Sequence, residues 1–122
     1  MRSIGLILLV IFCTIFACKK KDLQLPPTLT TTAVSNITDS TAMSGGAFTS
    51  IGNLSVSAYG MQWDTLTSFA GGGYISVDGA GTSSYASILT LLRPATIYYV
   101  RAYAIAAKDT VYGNILQFTT TN

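Results

Sequence analysis

The sequence predicts an all-β sandwich of seven strands behind an N-terminal export signal. Three observations carry this. From residue 28 onward, short runs of strand-favouring residues recur between turns marked by Gly, Asn and Asp. No helical hydrophobic period and no internal repeat runs through that stretch. The longest strand run, residues 92–106, carries Pro94, which has no N–H to give to a ladder, so the strand starts near Thr96. From there Tyr98, Val100, Ala102 and Ala104 alternate with Ile97, Tyr99, Arg101, Tyr103 and Ile105. Arg101 assigns the second file to the outside and the first to the core. A strand over residues 96–106 reaches roughly 36 Å, the length of a small sandwich.

The N-terminus is of another kind. Arg2 is followed by an uncharged apolar run over residues 4–17 that ends at Cys18. That run is too short for a hydrocarbon core of about 30 Å, which takes roughly twenty helical residues. A positive start, a short apolar region and a small residue before the cut describe a secretory signal over residues 1–17, with a short transmembrane anchor as the alternative. The remainder, 28–122, is one domain.

Taken in order, residues 18–27 form a tether that Pro26 and Pro27 stiffen. A first strand covers 28–34, and Asn36 and Asp39 turn the chain. The second covers 41–48, where Gly45 and Gly46 predict a bulge or a close backbone approach. Gly52 and Asn53 turn into the third strand, 54–63, which sets Tyr59, Met61 and Trp63 on one face. Trp63 is assigned to the core opposite the small Ala102 and Ala104. A surface tryptophan stacking on a sugar is the alternative. Residues 65–84 are the least regular part. Glycine clusters at 71–73 and 79–81 bracket a short edge strand over 74–77, and a loop of this composition is where binding resides. The next strand, 85–91, points Tyr85, Ser87 and Leu89 inward, and Leu92 opens a corner. After the strand at 96–106, Lys108 and Asp109 turn a hairpin into the last one, 111–119, which returns Leu116 and Phe118 to the core.

Two resemblances narrow this reading. Ile15-Phe16-Ala17-Cys18 resembles the lipobox of bacterial lipoproteins, which implies cleavage after Ala17 and acylation of Cys18 with palmitate-type chains. More than one acyl chain makes such attachment stable, and Lys19, Lys20 and Lys21 would lie at the headgroups. Cys13 then leaves with the signal, so no disulfide is available to the domain. The spacing Leu92-x-Pro94-x-Thr96-x-Tyr98 resembles the E–F corner of fibronectin type III domains, which implies that the Tyr98 hydroxyl bonds back to the upstream backbone. Residues 42–46, Gly60-Met61-Gln62-Trp63, this corner, Val111-Tyr112-Gly113 and Phe118-Thr119-Thr120 follow one order. That order resembles the fibronectin type III-like (Ig-like) modules of Bacteroidetes cell-envelope lipoproteins and covers residues 28–120. Lys19 directly after the cysteine resembles lipoproteins sent to the outer membrane. With only Asp22 as an acid near the anchor, the periplasmic and surface faces both stay open.

Composition excludes much chemistry. Histidine and glutamate are absent, and no thiol survives maturation, so Ser–His and Cys–His triads are excluded. Asp22, Asp39, Asp64, Asp78 and Asp109 are the only acids. Asp22 lies in the tether and the others in separate predicted turns, which leaves no carboxylate pair for glycoside cleavage. Asp78 with Gly79 falls short of the six to eight oxygens calcium takes, and no lysine or helix start follows the glycine clusters, so they are not phosphate loops. No cofactor and no metal are expected, and the chain is not expected to be an enzyme. Six basic residues against five acidic ones after removal of Arg2 leave no electrostatic footprint for nucleic acid. Asp39-Ser40-Thr41, Asp64-Thr65-Leu66 and Asp109-Thr110-Val111 resemble the Asp-Ser/Thr-apolar sites that Bacteroidetes glycosylate, which would place sugars on Ser40, Thr65 and Thr110. Plain turn composition is the alternative.

The expected function is a lipid-anchored, non-catalytic binding or spacer module. Tyr99 and Tyr103, with Ile97 and Ile105 beside them, are the expected contact face for a protein or glycan. The alternatives are a structural subunit of an envelope or pilus-like assembly that offers an edge strand, and a fragment of a larger multi-domain surface lipoprotein.

Overall fold

Alternation of side chains along the strands, read with their register, decides which faces of this domain are buried. The computed structural model describes residues 23–122. The export signal, the cleavage site at Ala17 and the acylation site at Cys18 lie outside them. Eight strands form two sheets: β1 (Thr28–Thr31), β2 (Ala42–Ser50), β3 (Val56–Asp64), β4 (Tyr74–Ile75), β5 (Tyr85–Leu89), β6 (Ile97–Ala106), β7 (Asp109–Tyr112) and β8 (Leu116–Thr119). One sheet has the order β1-β2-β5. The other has the order β4-β3-β6-β7, with β8 also on β6, and all pairs are antiparallel. No described residue is helical.

The central strand behaves as its alternation requires. Tyr98, Val100, Ala102, Ala104 and Ala106 are buried between the sheets, with Met61, Leu89 and Phe118 in the same core. Tyr59, Met61 and Trp63 face that core together, and the register corrects their neighbours: Trp63 lies beside Val100, Met61 beside Ala102 and Tyr59 beside Ala104. At the corner the Tyr98 hydroxyl accepts the N–H of Arg93 at 2.9 Å, and buried Leu92 donates its own N–H to the Ser40 carbonyl at 3.1 Å. Gly46 lies under the Tyr85 ring and Gly45 against the Tyr85 carbonyl, the close approach expected of that pair.

The strand count differs from seven because the last strand is split. Tyr112 pairs with Tyr103 and Leu116 with Val100, so three residues stand opposite two, which makes a β-bulge at Gly113-Asn114-Ile115. The first strand fills the gap. Thr31 donates its N–H to the Asn114 side chain at 2.9 Å, and its hydroxyl accepts the N–H of Ala102 at 3.0 Å. That stitch holds the two sheets together at their open edge, where a disulfide is unavailable. The first strand accordingly stops at Thr31 rather than running to residue 34.

The tether expected over residues 18–27 does not run free to its end. Pro27 is fully buried. Leu25 donates its N–H to the Asn53 side chain at 2.8 Å, and the Asn53 N–H returns to the Leu25 carbonyl at 2.8 Å. The described chain therefore enters at the end of the sandwich that carries the β2–β3 turn. β8 finishes beside Ile97, where β6 starts, at the opposite end.

Candidate functional site

That opposite end carries the segment between β3 and β4, and one carboxylate organises it. Asp64 closes β3 and is buried, although it lies on the outer face of its sheet. Its oxygens accept the N–H groups of Thr65 at 2.6 Å and Gly71 at 2.8 Å, so residues 65–71 fold back as a closed loop. Burial opposes the charge, but backbone donors at Gly71, Thr65, Leu66 and Gly73 outweigh it and hold the carboxyl below its ordinary 3.8. A depressed carboxylate contributes stability that is complete above the unfolded-state value and is lost as the pH falls through the lower native one. Asp64→Asn should cost about 2 kcal/mol at pH 7, the scale of hydrogen bonds to a charged group. Protection of the 65–73 amides, taken relative to their intrinsic exchange rate at each pH, should fall in the variant and, in the parent protein, only below pH 3.8.

Two adjoining cavities of about 240 and 280 Å³ flank this loop, and both are lined by Trp63, Asp64, Gly72, Gly73 and Tyr74. Each is smaller than the roughly 300 Å³ at which small-molecule pockets begin. Phe69 borders the first and Leu91 the second. Both hold left-handed backbone, at φ 57° and 59°, a conformation that costs a bulky residue energy and collects at functional positions. Beyond the cavities runs the free edge of the sheet. β4 pairs with Gln62 and Trp63, and the chain continues along β3 through Ser76 N–H to the Met61 carbonyl and Asp78 N–H to the Tyr59 carbonyl, both at 2.8 Å. No described strand lies on its other side. Tyr74, Ile75 and Val77 stand exposed along it, Val77 at 72 %.

The expected contact face is not open in the way its alternation suggested. Tyr103 does lie in the outward file, yet it is only 3 % exposed. Its register partner is Gly60, so the ring occupies the place a side chain would take, and its hydroxyl donates to the Ser76 carbonyl at 2.6 Å. Arg101 beside it is clamped between Phe69 and Tyr112, with ring centroids 4.2 and 3.8 Å away, and donates Nε to Gln62 at 2.7 Å. Tyr99 is half-buried, beside Asp64 in register. Ile97 of that face is exposed, and a further open apolar surface runs along the edge at Tyr74, Ile75 and Val77, where the glycine clusters on either side were the available signal.

The other proposed positions are plain to place. Ser40, Thr65 and Thr110 are all exposed. Trp63 is buried, and its Nε1 has no hydrogen-bond partner. No group of three metal-ligating side chains occurs among the described residues.

No protein-family model matches the sequence, and no curated protein matches it either. Solved structures do. The sensor domain of the anti-sigma factor RsgI4 from Pseudobacteroides cellulosolvens superposes with a TM-score of 0.63 at 16 % identity, covering 79 % of this chain and 95 % of that one. A fourth human fibronectin type III domain matches with a TM-score of 0.57 at 15 % identity over 84 % of this chain and 83 % of that one. The fibronectin type III domain of human KIAA0970 protein gives 0.54 at 15 %, over 80 % and 76 %. At these identities the likeness is one of architecture. The described chain has the fold of fibronectin type III domains.

Proposed function

We propose that this protein is a non-catalytic binding or spacer module, held at a bacterial cell envelope of the Bacteroidetes kind by acyl chains on Cys18. In this reading it meets a protein or glycan through the β4 edge and the adjoining cleft. The observation that carries it is the placement of that edge: β4, with exposed Tyr74 and Ile75, pairs with Trp63 and Gln62 toward the end opposite the one where the chain enters, and exposed Val77 lies midway along β3. An anchored module would thus hold β4 at its far end, clear of its membrane. A free strand edge offers main-chain hydrogen bonds, and its alternating side chains offer selectivity. The architectural likeness to a sensor domain fits a binding role. Exposure of Ser40, Thr65 and Thr110 leaves room for sugars there, which would appear as added mass on the mature protein.

The test is a pair of variants. Ile75→Lys with Val77→Lys should melt normally, because both side chains are exposed, and should lose capture of the partner from native envelope extracts. Tyr99→Ser should retain it. Unchanged capture by the lysine variant rejects the edge as the contact.

A second reading is a structural subunit of an envelope assembly, which the same unpaired edge favours. Sedimentation separates the two: a domain that stays monomeric at high concentration argues against self-assembly.

A further inference from the structure

We propose that the end of the sandwich built from residues 23–27 and 51–55 rests on the bilayer surface, with Leu23, Leu25 and Ile51 entering the boundary between headgroups and acyl chains. This rests on the lipid-anchor reading of Cys18 and adds to it a second, non-covalent contact.

Three large apolar side chains are displayed at this end: Leu23 at 73 % exposure, Ile51 at 62 %, and Leu25 about half exposed. They sit on a fixed platform rather than on loose chain. Asn53 bonds the N-terminal segment three times, from Leu25 N–H at 2.8 Å, to the Leu25 carbonyl at 2.8 Å and to the Leu23 carbonyl at 2.9 Å. Gly52 makes the closure feasible. It holds φ 62°, and a Cβ there would collide with the Leu25 carbonyl oxygen. Leu23 and Leu25, two residues apart along an extended segment, project to the same side. Ordered exposure of this kind marks a contact surface.

The occupant follows from the chain that precedes the platform. Cys18 stands five residues before Leu23, so even a fully extended connection reaches only about 17 Å. Acyl chains on that cysteine would keep this end within a headgroup layer's reach of the membrane. Lys19, Lys20, Lys21 and Asp22 occupy the interval, three cations against one anion. Lys108 is exposed beside an exposed Asp109 on the β6–β7 turn at the same end, where Ala107 N–H meets the Ser55 carbonyl at 3.3 Å, so the three lysines before the platform carry the excess of positive charge. Those ammonium groups favour an anionic lipid surface, and an anchor gains firmness from a second signal beside its acyl chains. Docked in this way, the domain holds β4, paired with Gln62 and Trp63, at its far end.

The experiment uses the mature lipid-modified protein in vesicles of phosphatidylethanolamine and phosphatidylglycerol, with intact mass taken first. An environment-sensitive fluorophore is placed on Ile51→Cys, and as a control on Thr90→Cys at the opposite end. The described residues contain no cysteine of their own, so the label is unique once the Cys18 sulfur is acylated. The expected result is a blue shift at position 51 and none at position 90. The shift should weaken when phosphatidylcholine replaces phosphatidylglycerol and vanish in Leu23→Ser with Leu25→Ser, whose melting is unchanged. Water-like emission at position 51 on acylated protein overturns the docking and leaves the anchor standing. A shift of equal size at both positions overturns it as unspecific adsorption, and a shift that needs concentrated protein but no vesicles overturns it in favour of a second copy. An intact mass without acyl chains overturns the docking and the anchor together.

Discussion

Trp63→Ala should lower the folding stability by about 3–5 kcal/mol. The indole is buried in the face that Met61 and Tyr59 share with it. Val100 lies across the strand pair, and Tyr74 is tilted against it at 6.0 Å between centroids. Removing a buried aromatic ring costs about 3–5 kcal/mol in lost transfer energy and residual cavity. A domain of this size holds only about 5–15 kcal/mol in total, and the described residues contain no disulfide to constrain the unfolded chain. Trp63→Phe separates volume from polarity. It keeps most of the ring and removes an Nε1–H that has no partner, an orphan that costs roughly 1–3 kcal/mol. Its net loss should therefore stay below about 1.5 kcal/mol. Urea unfolding followed by circular dichroism measures both, since the only tryptophan is the residue replaced. A Trp63→Ala protein within 1 kcal/mol of the parent would mean, by the same scale, that the indole is not core.

Alkali should unfold the domain through two tyrosines. The Tyr85 hydroxyl donates to the Gly60 carbonyl at 2.8 Å, and that of Tyr103 to the Ser76 carbonyl at 2.6 Å. Burial, and after it the negative charge of Asp78, pushes both phenols above their ordinary value of 10. A raised pKa contributes stability that is complete below the unfolded-state value and is lost as the pH rises from there through the native one. The protein contains no histidine, and the described residues no cysteine. Stability should therefore be level from about pH 5 to 9. Above pH 10 it should fall by up to about 1.4 kcal/mol per pH unit for each phenol. Urea midpoints at pH 7, 9 and 11 read this directly. Tyr85→Phe with Tyr103→Phe should be weaker at neutral pH and flatter in alkali. An equally steep alkaline fall in that variant would assign the effect elsewhere.

Tyr103 also marks the limit of what alternation alone conveys. Its place in the outward file was legible from Pro94 and Arg101, which set the start and the facing of β6. Its burial was not, because that depends on Gly60 standing opposite it, and register is a property of two strands. Trp63 illustrates the same division: its burial could be read from the apolar face of β3, whereas the neighbour across the strand pair is Val100 rather than the alanines. The corner carried its own local signal, and Tyr98 bonds upstream as its spacing implied. The bulge at 113–115 had only Gly113 to announce it, and the Thr31 stitch that accompanies it joins residues 83 and 71 positions apart. Four acids in separate predicted turns, with Asp22 in the tether, gave no hint that Asp64 is the one that closes a loop. That role lies in the N–H groups it meets at Thr65 and Gly71.

Function and docking share one polarity: one end of the sandwich toward a membrane, the β4 edge toward a partner. A photo-reactive phenylalanine placed at Ile75, and in a second protein at Ile51, tests this in the native envelope. Crosslinks from position 75 to a protein or glycan, with phospholipid adducts confined to position 51, are the predicted result. Phospholipid adducts from position 75 with none from position 51 would contradict it.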